Sequence, residues 1–127
     1  MTYHICNNPV IETITTNKPW GHEILWAKNI ERGYVSKLLH INCGQKTSKQ
    51  FHKEKDETIY VSDGILTLII SEEDTECFYY LKKGTSFHIK PNVIHRFYAE
   101  FTDVDLIETS STELDDVVRL EDAYGRC

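Results

Sequence analysis

From Glu23 to Glu108 the chain is a succession of short β-rich runs cut by turn residues, and this rhythm limits its fold more than any other feature. Glu23–Ala27, Tyr34–Ile41, Thr58–Val61, Ile65–Ile70, Cys77–Leu81, Thr85–Ile89, His95–Phe101 and Val104–Glu108 each have the length and composition of a strand. Between them lie the turn signals Lys28-Asn-Ile-Glu-Arg-Gly33, Ser62-Asp63-Gly64, Glu72-Glu73-Asp74 and Lys82-Lys83-Gly84. Asp63-Gly64 predicts a tight hairpin, because that pair accepts positive φ readily. About eight strands with short connections predict an all-β antiparallel sandwich or barrel. Only Ser111–Tyr124 reads as a short C-terminal helix, with Ser111 and Thr112 as caps ahead of Leu114, Val117, Val118 and Leu120.

A length of 127 residues gives room for one domain with its own core. The expected division is an N-terminal extension over 1–17 and a single domain over 18–127. The formal charge is −6, and the nearest thing to a basic run, Lys46–Lys55, is diluted by Glu54. That excludes a clustered basic face for nucleic acid. Apolar runs such as Leu68–Ile70 are far too short to cross a bilayer. Cys6, Cys43, Cys77 and Cys127 contain no C-x-x-C pair and no short zinc spacing. The N-terminal residues lack a basic stretch followed by an apolar one, so the expectation is a cytoplasmic protein with free thiols.

The chemistry concentrates in two segments. Residues two apart on a strand face the same side, so Gln50 and His52 project together. Glu57 begins the next strand beyond a polar turn and can fold back beside them. His95 opens another strand after the Pro91-Asn92 turn. Two imidazoles, a carboxylate and an amide oxygen suit one borderline divalent ion: zinc first, with iron, nickel, manganese or cobalt also compatible.

These segments resemble the paired motifs of the cupin superfamily. Gly44, His52, Glu57 and Gly64 stand at the spacings of the first motif, with Gln50 where its first His usually stands. Gly84 and His95 fit the second, while Lys90 and Asn92 replace its Pro and Gly and Pro91 sits between them. Asn is the residue after Gly that best tolerates a left-handed turn. The resemblance implies a cupin fold, the double-stranded β-helix or jelly-roll-like barrel. Lys18-Pro-Trp-Gly21, the Gln50-x-His52 pair and Arg119-Leu-Glu-Asp-Ala-Tyr-Gly-Arg126 look, more narrowly, like the type II phosphomannose isomerase cupin. That cupin is the C-terminal domain of bifunctional mannose-1-phosphate guanylyltransferase/mannose-6-phosphate isomerases, and it also occurs alone. The likeness runs from about residue 18 to 126 and implies that Trp20 is buried and that the Tyr124 segment lies on the barrel.

What this narrower resemblance implies is metal-dependent aldose–ketose interconversion of a phosphorylated or nucleotide-linked sugar, by a protein that forms a homodimer. A proton carrier is then needed between C1 and C2. His88 is the best-suited side chain near the motifs, with Lys55 and Glu54 behind it. Two readings of His88 stand, a cavity-facing catalytic group and a packed strand residue. Phosphate binding falls to Lys37, Lys90, Arg96, Arg119 and Arg126, with Arg preferred for bidentate contacts and Arg119 placed at the catalytic centre. One departure matters: the family's His- and Arg-rich stretch is replaced by Lys53-Glu-Lys-Asp-Glu57-Thr-Ile. Other metal cupin chemistry, such as dioxygenation, and a sugar-binding module without turnover remain as rivals. The chain has no Gly-rich nucleotide-binding segment, which argues against guanylyl transfer.

Overall fold

Alternation along the strands decides which side chains meet inside, and in the computed structural model it builds two sheets facing each other across one core. The structure describes residues 9–127. The first sheet holds β1 (Ile14–Lys18), β2 (Gly21–Asn29), β3 (Tyr34–Ile41), β10 (Val104–Ser110), β5 (Glu57–Asp63) and β8 (Ser86–Ile89), in that spatial order. The second holds β11 (Val118–Glu121), β4 (Lys49–Phe51), β9 (Ile94–Tyr98), β6 (Ile65–Glu72) and β7 (Thr75–Lys82). Every pairing is antiparallel. Sequence-adjacent strands repeatedly fall in opposite sheets, which is the jelly-roll form of an all-β domain.

Leu39 and Ile41 on β3, Ile59 and Val61 on β5, Leu66, Leu68 and Ile70 on β6 and Val104 and Leu106 on β10 fill the core, with Trp20 buried beside them. Tyr124 packs against the same cluster, so the chain's last turn lies on the barrel. The inward phase changes chemistry along the strands. On β10 it runs Val104, Leu106, Glu108; on β3, read backwards, Ile41, Leu39, Lys37; on β5, read backwards, Val61, Ile59, Glu57. The register aligns Leu106 with Leu39 and Val61, and Glu108 with Lys37 and Ile59. One end of the barrel is therefore apolar and the other is lined with charge.

All eight expected strands are present, and three more accompany them. β1 begins inside the segment assigned to an extension and pairs with β2 along its full length. Ser111–Tyr124 forms no helix. Val118–Glu121 is strand β11, paired with β4, and the residues before it make a turn-rich strap. The Ser62-Asp63-Gly64 turn is real, with Gly64 at φ +81°, but it joins no hairpin. β5 and β6 belong to different sheets, and the turn is a corner. A Cβ on Gly64 would collide with the Asp103 carbonyl, so the site demands glycine twice over. Asn92 sits at φ +68°, in the left-handed turn that delivers β9. Cys43, Cys77 and Cys127 are free thiols; Cys6 lies outside the described residues. No helix among the described residues is long and apolar enough to cross a membrane.

Candidate metal centre

The charged end of the barrel brings His52, Glu57 and His95 together, all three buried, with their ligand atoms within 4.8 Å of one another. Glu57 opens β5 and His95 lies on β9. His52 follows β4 directly, and the Pro91-Asn92 turn is held against it by the Asn92 N–H, which donates to the His52 carbonyl at 2.6 Å. The His52 and His95 Nε2 atoms lie 3.2 and 3.3 Å from the same oxygen, Glu57 Oε1.

The far side of each ring decides what those nitrogens can do. His52 Nδ1 meets the Asp116 carbonyl, and His95 Nδ1 meets the Val93 carbonyl at 2.9 Å. A carbonyl only accepts, so both Nδ1 atoms carry the proton, and in neutral rings both Nε2 atoms present lone pairs. Two lone pairs then face a carboxylate. His95 Nε2 and both Glu57 oxygens are buried without a hydrogen-bond partner. Buried acceptors gathered on one point, each oriented from behind by a backbone carbonyl or neighbour, are the arrangement of a divalent-ion site. The donor set fits such an ion. Gln50 joins the wall beside it: Gln50 pairs with His95 on one side and Arg119 on the other, so Arg119, Gln50 and His95 form one row across β11, β4 and β9. At present Gln50 Oε1 accepts from Ser48 Oγ at 2.6 Å.

Electrostatics around the centre centre on Lys55. Its ammonium is buried, 3.5 Å from Glu57 Oε2 and 3.2 Å from Glu108 Oε1. Burial alone would lower its pKa, but Glu108 and then Glu57 outweigh that and raise it. Burial likewise works against the charge on Glu57. The His52 and His95 rings and Lys55 reverse this and hold its carboxyl well below the usual range. Glu108 is left as the loser of the three: burial first, then the nearby Glu57 charge, push its pKa up against the pull of Lys55 and Lys37. His52 is raised because Glu57 outweighs its burial.

Gln50, His52, Lys55 and Glu108 line a cavity of about 140 Å³ that also includes Lys18, Lys37, Arg119 and Arg126; Glu57 and His95 are not among its lining residues. Glu23 bridges Lys18 at 3.0 Å and Lys37 at 2.9 Å, which holds both ammonium groups at the rim. Arg126 is committed to Asp122 through Nε at 2.7 Å and Nη2 at 3.0 Å. Arg119 is not committed: its Nε is buried with no partner. The cavity thus carries the expected Lys37, Arg119 and Arg126, along with Lys18, Glu23 and Glu108, which sequence reasoning missed.

Three expected site residues lie elsewhere. His88 points outward from β8, half exposed, with Nε2 2.7 Å from Asp56 Oδ1. Its strand neighbours Phe87 and Ile89 take the inward positions, so neither the catalytic nor the packed reading of His88 describes it. Arg96 occupies the outward phase of β9, between the inward His95 and Phe97. Its Nε donates to the Thr47 carbonyl at 2.7 Å, and it borders a separate outer groove with Phe78 and Tyr80. Lys90 is exposed and outside the cavity.

The cupin domain family matches residues 37–108, from Lys37 on β3 to Glu108 on β10. No curated protein matches the chain. Among solved structures it resembles CapF, a capsular polysaccharide assembling protein from Staphylococcus aureus, with a TM-score of 0.78 and 19% identity over 88% of this chain and 32% of CapF. It resembles KdgF from Halomonas sp., with a TM-score of 0.69 and 17% identity over 80% of this chain and 90% of KdgF. Oxalate decarboxylase from Bacillus subtilis superposes with a TM-score of 0.73 and 13% identity over 86% of this chain and 30% of that enzyme. The chain spans about a third of the length of CapF. At these identities the likeness is one of fold.

Proposed function

The chain belongs to the cupin domain family, and on that premise we propose that it is a metal-dependent isomerase interconverting mannose 6-phosphate and fructose 6-phosphate. One observation carries the reading: His52 of the His52–Glu57–His95 cluster lines a single cavity with Gln50, Lys18, Lys37 and Arg119, whose buried Nε has no partner. A metal-competent end and an anion-binding end suit a sugar that is phosphorylated away from its reacting carbons.

His52, Glu57 and His95 would hold the ion, with Gln50 as a fourth donor. A divalent ion supplies Lewis acidity, which stabilises negative charge developing on the sugar oxygens. Arg119 binds the phosphate, and Lys18 and Lys37 add charge at the rim. Glu108 takes the role first given to His88. It lines the cavity, and its raised pKa suits a group that must both accept and return a proton. Its carboxylate removes the C2 proton and delivers it to C1, while the hydroxyl proton passes from O2 to O1. Lys55 keeps the Glu108 carboxylate in place.

The test is direct. Metal-replete protein is given mannose 6-phosphate and fructose 6-phosphate is measured; turnover stops with chelator and returns with a divalent ion. Metal-replete protein that neither converts nor binds a hexose phosphate sinks the reading. A second reading, a cupin that binds a sugar phosphate without turning it over, draws support from the Lys53–Lys55 loop, whose N–H groups are all committed to Asp116. Saturable binding without turnover selects it. The homodimer belongs to the same proposal, and the solution mass tests it.

A further inference from the structure

Metal ligands His52 and Glu57 sit at the two ends of a short loop, Lys53–Asp56, that belongs to neither sheet. Its backbone N–H groups from Lys53 to Lys55 all converge on one residue some sixty positions later in the chain. Asp116 Oδ1 accepts the Lys53 N–H at 3.0 Å, and Oδ2 accepts those of Glu54 at 2.7 Å and Lys55 at 2.9 Å. The Asp116 backbone carbonyl accepts the His52 ring proton. Side chain and main chain of a single residue therefore fix both the path of the loop and the tautomer of the ring. Ser111 adds a tie at the far end, its Oγ accepting the Asp56 N–H at 3.0 Å while its own N–H donates to the Asp56 carbonyl at 3.0 Å.

The same strap builds the other half of the cavity. Leu114 and Val117 flank Asp116 and line the cavity, and Arg119 follows on β11. We propose that Asp116 is the positioning residue of the metal centre, and that its clasp on the Lys53–Lys55 loop couples ion binding to docking of the 111–126 strap. An ion on Nε2 of His52 favours the ring orientation that the Asp116 carbonyl holds, and so favours the docked strap. The docked strap in turn presents Arg119 to the substrate phosphate. Each event strengthens the other by the same factor, as linkage requires. The proposal rests on the metal reading above.

Zinc affinity, measured by competition with a chromogenic chelator, tests it. Removing a group that orients a metal ligand costs about 10–100-fold in affinity. Asp116→Ala is expected to lose that much, and Asp116→Asn less, since one amide oxygen still accepts. Asp115→Asn, on the same strap but making none of these bonds, is expected to match the parent. A second measurement reads the coupling without any substrate: zinc slows protease cleavage within 111–126 in the parent protein and fails to do so in Asp116→Ala. Circular dichroism of the metal-free variants confirms that the barrel remains folded. Asp116→Ala and Asp116→Asn that bind zinc as tightly as the parent overturn the proposal, as does parental cleavage indifferent to zinc. Parent protein that holds no divalent ion at all overturns the metal reading itself, a separate result.

Discussion

At the scale of single residues, the centre is defined by which atoms lack partners. His52 and His95 spend their Nδ1 protons on backbone carbonyls and turn bare nitrogens toward Glu57. Each is then needed for an ion: His52→Ala, Glu57→Ala and His95→Ala are each expected to abolish stoichiometric loading, measured by elemental analysis after dialysis. Gln50→Ala is expected to weaken loading less, because a neutral amide is the poorest donor of the four, and Gln50→His to tighten it. A double His52/His95 variant that retains one ion per chain would refute the assignment. The gathering of His52, Glu57 and His95 was legible in the sequence because motif spacing is a local property. Asp116 was not, because its bonds reach back more than sixty positions. His88 failed for a nearer reason: Phe87 and Ile89 are the apolar members of β8, and they take the inward phase that His88 would have needed.

At the scale of elements, β10 divides stability from chemistry over two residues. Leu106 is wholly buried in the core; Glu108, next on the same face, lines the cavity. Leu106→Ala is expected to lower unfolding free energy by about 2–5 kcal/mol while the folded fraction keeps its turnover. Glu108→Gln is expected to cost about 10²–10⁴ in the kcat of the folded fraction if Glu108 carries the proton. Equal kcat in Glu108→Gln and the parent removes Glu108 from the mechanism. Strands β2, β3, β5 and β6 were readable because each is a β-rich run bounded by turn residues. β4 has only three residues, and β1, Ile14-Thr-Thr-Asn-Lys18, has almost no apolar face to betray it. β11 was read as helix because Leu114, Val117 and Val118 mimic a helical stripe. Pairing of Val118 and Arg119 with Phe51 and Gln50 overrides that local preference.

At the scale of the whole molecule, pH sets proton and metal against each other at one point. In the metal-free protein His52 is raised above its ordinary 6.5, since the Glu57 charge outweighs burial. A group raised in the folded state contributes stability that is full below its unfolded pKa and is lost as pH rises through the folded value. Glu57, held well below 4.5, contributes stability that is full above that value and fails only in stronger acid. The His52–Glu57 pair therefore supports the empty centre most between these limits and weakens through neutrality. The loaded centre has the opposite trend, because an ion needs the neutral ring and competes better as protons are removed. The difference in Tm between loaded and metal-free protein is accordingly expected to widen steadily from about pH 6 to pH 8, where imidazole titrates. Differential scanning calorimetry on matched samples measures it. In Glu57→Gln the His52 ring loses its anionic partner, so the fall in metal-free Tm across this range should disappear. A Tm difference flat with pH in the parent protein would mean that His52 does not exchange its proton for the ion.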